Sequence, residues 1–109
     1  MKSCWQLLNE RKKMASYSLN KEADEDFERI FDYGIDLFGF SHAYSYVEGM
    51  KQRFSEIAEN PLFWQSVDFI RPEYRRSVYG KHSIYYLIKG NNIIIARILG
   101  RENLKNLTS

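Results

Sequence analysis

The pattern of apolar and polar positions divides the chain into a helical half and a strand-rich half. Between Asn20 and Gly39, apolar residues recur at steps of three and four, which is the spacing of one face of an α-helix. Asn20 is a suitable N-cap followed by acidic residues, and Gly39 is a suitable C-cap. This pattern predicts a first helix with a buried face formed by Ala23, Phe27, Ile30, Phe31, Gly34, Leu37 and Phe38.

A second helix is predicted from Ser41, as its N-cap, to Asn60, where Pro61 stops it. Only Phe40 separates Gly39 from Ser41, so the two helices must fold back as an antiparallel hairpin. The apolar face of the second helix is expected to consist of Ala43, Val47, Met50, Phe54, Ile57 and Ala58.

Residues 71–101 are predicted to form three short strands, because they are rich in β-branched and aromatic residues. Gly80-Lys81 and Gly90-Asn91-Asn92 separate these runs and are typical of tight turns. Strict alternation along the last strand predicts one face with Ile93, Ile95, Arg97 and Leu99, and another with Ile94, Ala96 and Ile98. Residues 16–19 alternate enough to form a short first strand.

These elements predict an α+β fold with a short first strand, an antiparallel helical hairpin and a three-stranded antiparallel β-meander. The hairpin is expected to pack on one sheet face, because neither unit can bury its apolar face alone. The second sheet face, half apolar and half Arg and Tyr, is a candidate partner surface. The connection 61–70 holds Phe63, Trp64 and Phe69, so part of it is expected to be buried.

At 109 residues the chain is large enough for one domain, which we assign to residues 14–109. Residues 1–13 form an N-terminal extension, either loose or docked through Trp5, Leu7 and Leu8. The single Cys4 excludes an intramolecular disulfide. With no apolar run near the roughly 20 residues of a membrane span and no signal-peptide pattern, we expect a cytoplasmic protein without a membrane partner.

Charge is distributed unevenly although the whole chain carries only +2. Residues 20–60 hold ten acids and four bases, a net charge of −6, whereas residues 71–101 hold seven bases and one acid, a net charge of +6. The hairpin is therefore acidic and the meander basic.

One dense set of candidate functional residues lies on the meander: Arg71, Arg75, Arg76, Tyr79, His82, Tyr85, Tyr86, Arg97 and Arg101. Arginine beside tyrosine suits phosphate binding and base stacking, and both residues are common at protein-binding hot spots. The alternative is that the arginines pair with the acidic hairpin and the tyrosines fill cross-strand positions. His82 is either a general acid or base or, as we favour, a hydrogen-bond partner of the backbone. The sequence has no phosphate loop, metal-ligand spacing or nucleophile motif, so we expect no metal and no cofactor.

Several segments in order resemble the ParE toxins of the RelE/ParE superfamily. They are Ile30-Phe-Asp-Tyr-Gly-Ile, Ala58-Glu-Asn-Pro-Leu, Ser66-Val-Asp, Ile70-Arg-Pro, Tyr74-Arg-Arg-Ser-Val-Tyr-Gly, His82, Ile84-Tyr-Tyr and Arg97-Ile-Leu-Gly-Arg. The resemblance covers roughly residues 15–103. Two positions depart from the family pattern, because Trp64 and Glu73 stand where glycine is more usual.

The resemblance implies the toxin of a type II toxin–antitoxin system, of the kind that maintains a plasmid or chromosome, with no small-molecule substrate. It implies a ParD-like antitoxin that wraps the groove between hairpin and sheet, and DNA gyrase as the target inhibited by binding without catalysis. The RelE branch instead cleaves mRNA on the ribosome, using lysines and a tyrosine near the C-terminus. Here the tail after Arg101 holds Lys105 but no Tyr or His, which favours gyrase. A non-toxic binding module of the same fold is the third alternative.

For binding of gyrase or antitoxin, the sequence favours Arg75, Arg76, Tyr79, Arg97 and Arg101 as main contributors, because strand neighbours can present them together. Arg71, His82 and Tyr85 complete this predicted set.

Overall fold

The computed structural model describes residues 16–100, so the extension 1–13 and the predicted contact Arg101 lie outside the described residues. Residues 16–100 form seven elements, which are β1 (Ser16–Leu19), α1 (Lys21–Phe38), α2 (Phe40–Glu59), β2 (Gln65–Ser66), β3 (Arg75–Tyr79), β4 (His82–Lys89) and β5 (Asn92–Gly100).

The strands form one mixed sheet of five, in the order β1-β5-β4-β3-β2. The predicted meander of β3, β4 and β5 is its antiparallel centre, and the predicted first strand joins it parallel to β5. The two-residue strand β2, which the sequence did not suggest, pairs antiparallel with β3 at the other edge. The α+β prediction with a helical hairpin is therefore confirmed, with strands added on both sides of the meander.

The helix boundaries follow from their end residues. The Asn20 side chain accepts a hydrogen bond from the Ala23 N–H at 2.9 Å and so caps α1, as predicted. Gly39 has φ 90°, a backbone conformation that favours glycine, and α2 begins at the next residue, Phe40. The prediction that Ser41 caps the second helix is therefore wrong, because Ser41 lies inside its first turn.

The main core lies between α2 and the sheet. The predicted apolar face of α2 is confirmed in full, because all six of its residues are buried. On α1, Ala23 is buried, and Phe27 and Ile30 pack against the core from partly buried positions. Leu37 and Phe38 were expected on the same face, but they are 54% and 62% exposed at the end of α1. The buried members of this core are Ala23, Met50, Phe54, Ile57, Ala58, Ile84, Tyr86, Ile93, Ile95 and Ile98.

A β-bulge in β5 changes which residues face the hairpin. Tyr85 pairs with Arg97 and Tyr86 with Ile95, so Ala96 is the extra residue between them. Beyond the bulge the alternation shifts by one position, and Ile98 joins the main core while Leu99 turns to the opposite face. The predicted face of Ile93, Ile95, Arg97 and Leu99 is therefore wrong for its last two members.

The sheet face away from the hairpin is partly covered rather than open. Residues 67–74 fold over it, with the Val67 N–H donating to the Tyr74 carbonyl at 2.8 Å. A second, smaller core forms beneath this loop from Val67, Tyr85 and Leu99. The prediction that part of the 61–70 connection is buried is confirmed, because Trp64 is partly buried and Val67 is fully buried. Phe63 and Phe69 are 71% and 77% exposed.

Candidate functional site

An open groove of about 870 Å³ lies between the helical hairpin and one end of the sheet. Apolar residues of α1 and α2 form one wall, and the β3–β4 turn and the end of β5 form the other. Cationic side chains stand along it. Its lining includes Arg29, Ile30, Tyr33, Leu37, Phe38, Tyr46, Lys81, His82 and Arg97.

Asp26 binds Arg97 at the floor of this groove. Its carboxylate is 2% exposed and accepts hydrogen bonds from Arg97 Nε at 2.8 Å and Nη2 at 3.2 Å. It also accepts the Ile98 N–H at 2.9 Å and pairs with Arg29. The hydrogen bond that Arg97 donates to Asp26 raises the pKa of Arg97, against the opposing effect of burial. β1 pairs only with residues 92–95 of β5, so the edge of β5 is not paired with β1 beyond residue 95. Asp26 binds a backbone N–H of this free edge, that of Ile98.

Tyr46 and His82 form a hydrogen-bonded pair on the groove wall. The Tyr46 hydroxyl lies 2.8 Å from His82 Nδ1 and 3.1 Å from the Tyr79 carbonyl, and it accepts the Lys81 N–H at 3.2 Å. A carbonyl only accepts, so all three contacts are satisfied together when Tyr46 donates to Tyr79 and His82 donates from Nδ1. Burial raises the pKa of the Tyr46 hydroxyl, with the Lys81 N–H acting in the opposite direction. Gly80 lets the turn approach this hydroxyl, since an added Cβ would lie 2.5 Å from it.

Arg53 is a cation that sequence reasoning missed, because it stands on the acidic hairpin. Its guanidinium lies over the rings of Trp64 and Tyr79, 4.8 and 5.4 Å from their centroids. It also donates at 2.8 Å to the Ser77 hydroxyl and to the Val78 carbonyl, on the part of β3 beyond its pairing with β2. Arg53 therefore joins α2 to the sheet edge.

Tyr79 faces α2, which explains a glycine in that helix. A Cβ added at Gly49 would lie 1.9 Å from the Tyr79 hydroxyl. The ring of Tyr79 also packs 5.2 Å from that of Tyr46. Tyr79 is thus held between hairpin and sheet.

Arg75 and Arg76 are sequence neighbours that point to opposite sheet faces. Arg75 pairs across the strands with Tyr86 on the hairpin side and donates to the Trp64 carbonyl at 2.6 Å. Arg76 pairs with Tyr85 on the other face, and its Nη2 lies 3.3 Å from Gln65 Oε1. Among residues 16–100, Arg76 Nε has no hydrogen-bond partner although it is buried.

Tyr86 anchors the chain after α2. Its hydroxyl donates to the Pro61 carbonyl at 2.6 Å, and burial raises its pKa to about 12, with Arg75 acting in the opposite direction. Tyr85 is fully buried in the second core, so it offers no surface to a partner and leaves the predicted contact set. Arg71 is exposed, with its guanidinium 5.8 Å from the Tyr74 ring centroid.

The predicted Arg/Tyr set is therefore not one continuous surface. Arg75, Tyr79 and His82 face the hairpin, Arg76 faces the opposite side, and Arg97 is drawn to Asp26. Strict alternation between neighbouring strand positions separates them. Within residues 16–100, no group of three or more His, Cys, Asp or Glu is placed to hold a metal ion. In the same part of the chain, no helix has the length and apolar character needed to cross a membrane.

Comparison with known proteins gives consistent matches. A family model described as the ParE toxin of the type II toxin–antitoxin system parDE matches residues 17–104. Toxin ParE1 of Mycobacterium tuberculosis (strain H37Rv) is 31% identical over 84 residues, 76% of this chain and 86% of that protein. Toxin ParE1 of Caulobacter vibrioides (strain CB 15) is 30% identical over 86 residues, 79% of this chain and 88% of that protein.

A solved structure described as a chromosomal ParDE TA system from P. aeruginosa shares the fold. It superposes with a TM-score of 0.70 at 20% identity, over 82% of this chain and 97% of that one.

Proposed function

Because this chain belongs to the ParE toxin family of type II toxin–antitoxin systems, we propose that it inhibits DNA gyrase by direct binding and is neutralised by a ParD-like antitoxin. The family match over residues 17–104 is the observation that carries the proposal. The geometry of the groove supports the antitoxin half of it.

The groove suits an amphipathic, acidic, partly helical segment. Ile30, Tyr33 and Leu37 supply an apolar wall for the anchors that a helix places at i, i+3 and i+4. Arg29, whose side chain is 66% exposed, and Lys81 supply positive charge along the same groove. Acidic residues of the antitoxin would meet these cations, which speeds association more than it deepens affinity.

Inhibition of gyrase by binding requires no catalytic residue in the toxin. His82 supports this reading, because one of its ring nitrogens lies against the Tyr46 hydroxyl and helps to hold the β3–β4 turn. Arg71, Arg76 and Arg101 are the arginines that we assign to partner contacts. Arg75, Tyr79, His82 and Arg97 shape the groove and the sheet that present those contacts.

Induction of the toxin without antitoxin, in growing cells, tests the proposal. DNA damage with continuing protein synthesis is the expected result, and co-expression of the antitoxin should prevent it. Immediate arrest of translation with intact DNA would instead support a RelE-like ribosome-dependent mRNA endoribonuclease. Normal growth would support a non-toxic binding module of the same fold.

A further inference from the structure

We infer that the tip of the helical hairpin is the surface that contacts the target. The tip consists of Tyr33, Leu37, Phe38, Phe40 and Tyr44, and it would dock on a basic protein surface with apolar patches, the kind that binds DNA. This inference rests on the proposed function, in which the target is gyrase. It places target binding on the hairpin, which leaves the partner contacts assigned to Arg71, Arg76 and Arg101 to the antitoxin.

The tip exposes an unusual amount of apolar surface. Its five side chains are 64%, 54%, 62%, 60% and 50% exposed, in sequence order. Since an aromatic side chain presents about 150–250 Å², the patch amounts to on the order of 500 Å². That area is near the upper limit for the largest apolar patch of a monomer, and such patches are often functional.

The two helices approach each other near the tip through small residues, although Phe40 also packs against Phe31. α1 and α2 meet near the tip through Gly34 and Ala43, since a Cβ added at Gly34 would lie 3.1 Å from the Ala43 Cβ. The two helices therefore contact each other through two small residues, and the large side chains of the tip lie mainly on the outside of the hairpin. Since half or more of each residue is exposed, most of this apolar surface is available to a partner.

The rings of the tip are held in place before any partner arrives. Phe40 packs edge-on against Phe31 and nearly parallel to Tyr44, with centroid distances of 5.8 Å in both pairs. Phe38 packs against His42 at 5.3 Å. Because these contacts already restrict the rotamers, less conformational entropy is lost on binding than for free side chains.

Charge determines which class of partner fits. Residues 31–47 contain Asp32 and Asp36 but no Lys or Arg, and both aspartates are exposed. Arg29 and Lys81 therefore attract an acidic antitoxin to the groove, which Tyr33, Leu37 and Phe38 also border. No such cation attracts it to the outer part of the tip, formed by Phe40 and Tyr44. A surface that binds DNA is basic, because it must meet phosphates, and it is complementary to an acidic tip.

Two residues separate the tip from the groove in an experiment. Tyr33, Leu37 and Phe38 line the groove, whereas Phe40 and Tyr44 do not. The test variant is therefore Phe40→Ala/Tyr44→Ala in the full chain. Phe69→Ala is the control, because it removes an even more exposed aromatic residue away from the tip. Circular dichroism and urea unfolding check that each variant folds.

Binding to purified gyrase and to purified antitoxin is measured for each protein. We expect the double variant to lose at least about thirtyfold in affinity for gyrase, while its affinity for antitoxin changes less than about twofold. The control should bind both partners normally. Asp32→Lys/Asp36→Lys should slow association with gyrase.

The failures are distinguishable. If the wild type does not bind gyrase, both the proposed function and the assignment of the tip are wrong. If the wild type binds gyrase and the double variant binds equally well, only the tip assignment is overturned. A comparable loss of antitoxin affinity would assign the tip to the antitoxin. Self-association of the wild type that the double variant loses, measured by sedimentation, would assign it to a second copy.

Discussion

Arg97 Nε lies 2.8 Å from Oδ2 of the buried Asp26, which joins the last strand to the first helix across 71 positions of sequence. This pair shows why charge pattern alone does not separate binding residues from structural ones. An arginine of the basic meander and an aspartate of the acidic hairpin form an ion pair inside the fold, at the floor of the candidate groove. The first prediction follows from this pair.

Asp26→Asn should destabilise the protein by about 2–4 kcal/mol. The substitution leaves Arg97 without its anionic partner and weakens the bond to the Ile98 N–H. Urea unfolding measures the loss. Glu28→Gln, an exposed carboxylate on the same helix, is the control and should change stability by less than about 0.5 kcal/mol. Equal stability of the two variants would show that the pair contributes nothing.

Stability should fall at high pH through Tyr86. Its pKa is about 12 in the fold, against about 10 in the unfolded chain, so the unfolded state loses its proton first. The unfolded state then binds fewer protons, and the free energy of unfolding decreases as pH rises between these two values.

The Tyr86→Phe variant isolates this effect. It lacks the hydrogen bond to Pro61 and should be less stable than the wild type at about pH 8. The difference in free energy of unfolding between the two proteins should decrease by about 1 kcal/mol by about pH 11. If the difference in free energy of unfolding stays constant over this range, the pKa of Tyr86 is not raised in the fold.

Glu73→Gly should stabilise the protein by about 0.5–1 kcal/mol. Glu73 has φ 69°, a left-handed conformation that costs about 1–2 kcal/mol in a residue with a Cβ, and glycine removes that cost. The greater freedom of glycine in the unfolded chain offsets part of the gain. The Glu73 N–H bond to Asp68 is from the backbone and survives the change. Thermal unfolding measures the result, and a lower midpoint for the variant would contradict it.

Association with the antitoxin should slow as salt rises, because the groove carries exposed cations. Arg29→Gln/Lys81→Gln should reduce both the association rate at low salt and its dependence on salt. Lys51→Gln, an exposed lysine outside the groove, is the matched control. Stopped-flow association over a range of salt decides the question: a wild-type rate that is flat with salt would rule out steering by this groove.

Local signals were sufficient for both helices and four of the five strands, but not for the two-residue strand β2 or for the long-range pairing. The Asn20 cap, the buried face of α2 and the three meander strands follow from side-chain chemistry and period alone. The bulge at Ala96 does not, because it depends on how β5 pairs with β4. Sequence also could not show that Phe38 is exposed, since helical periodicity indicates an apolar face but not what covers it.

The candidate site was located only in part. The meander was identified correctly as basic, but adjacent arginines on a strand point to opposite faces, and pairing with distant residues decides which remain available. The exposed tip was missed because Leu37 and Phe38 continue the apolar pattern of the first helix, which a core and an interface share, and Phe40 was interpreted as the link between the helices.

Inhibition of purified gyrase tests the central claim most directly. The toxin is added to a supercoiling assay with relaxed DNA, alone and after incubation with an equimolar ParD-like antitoxin. The account predicts that the toxin alone blocks supercoiling in proportion to its binding to gyrase, and that the antitoxin restores it. The account would be contradicted if purified toxin, at the concentration that arrests growth in cells, left the supercoiling activity of gyrase unchanged.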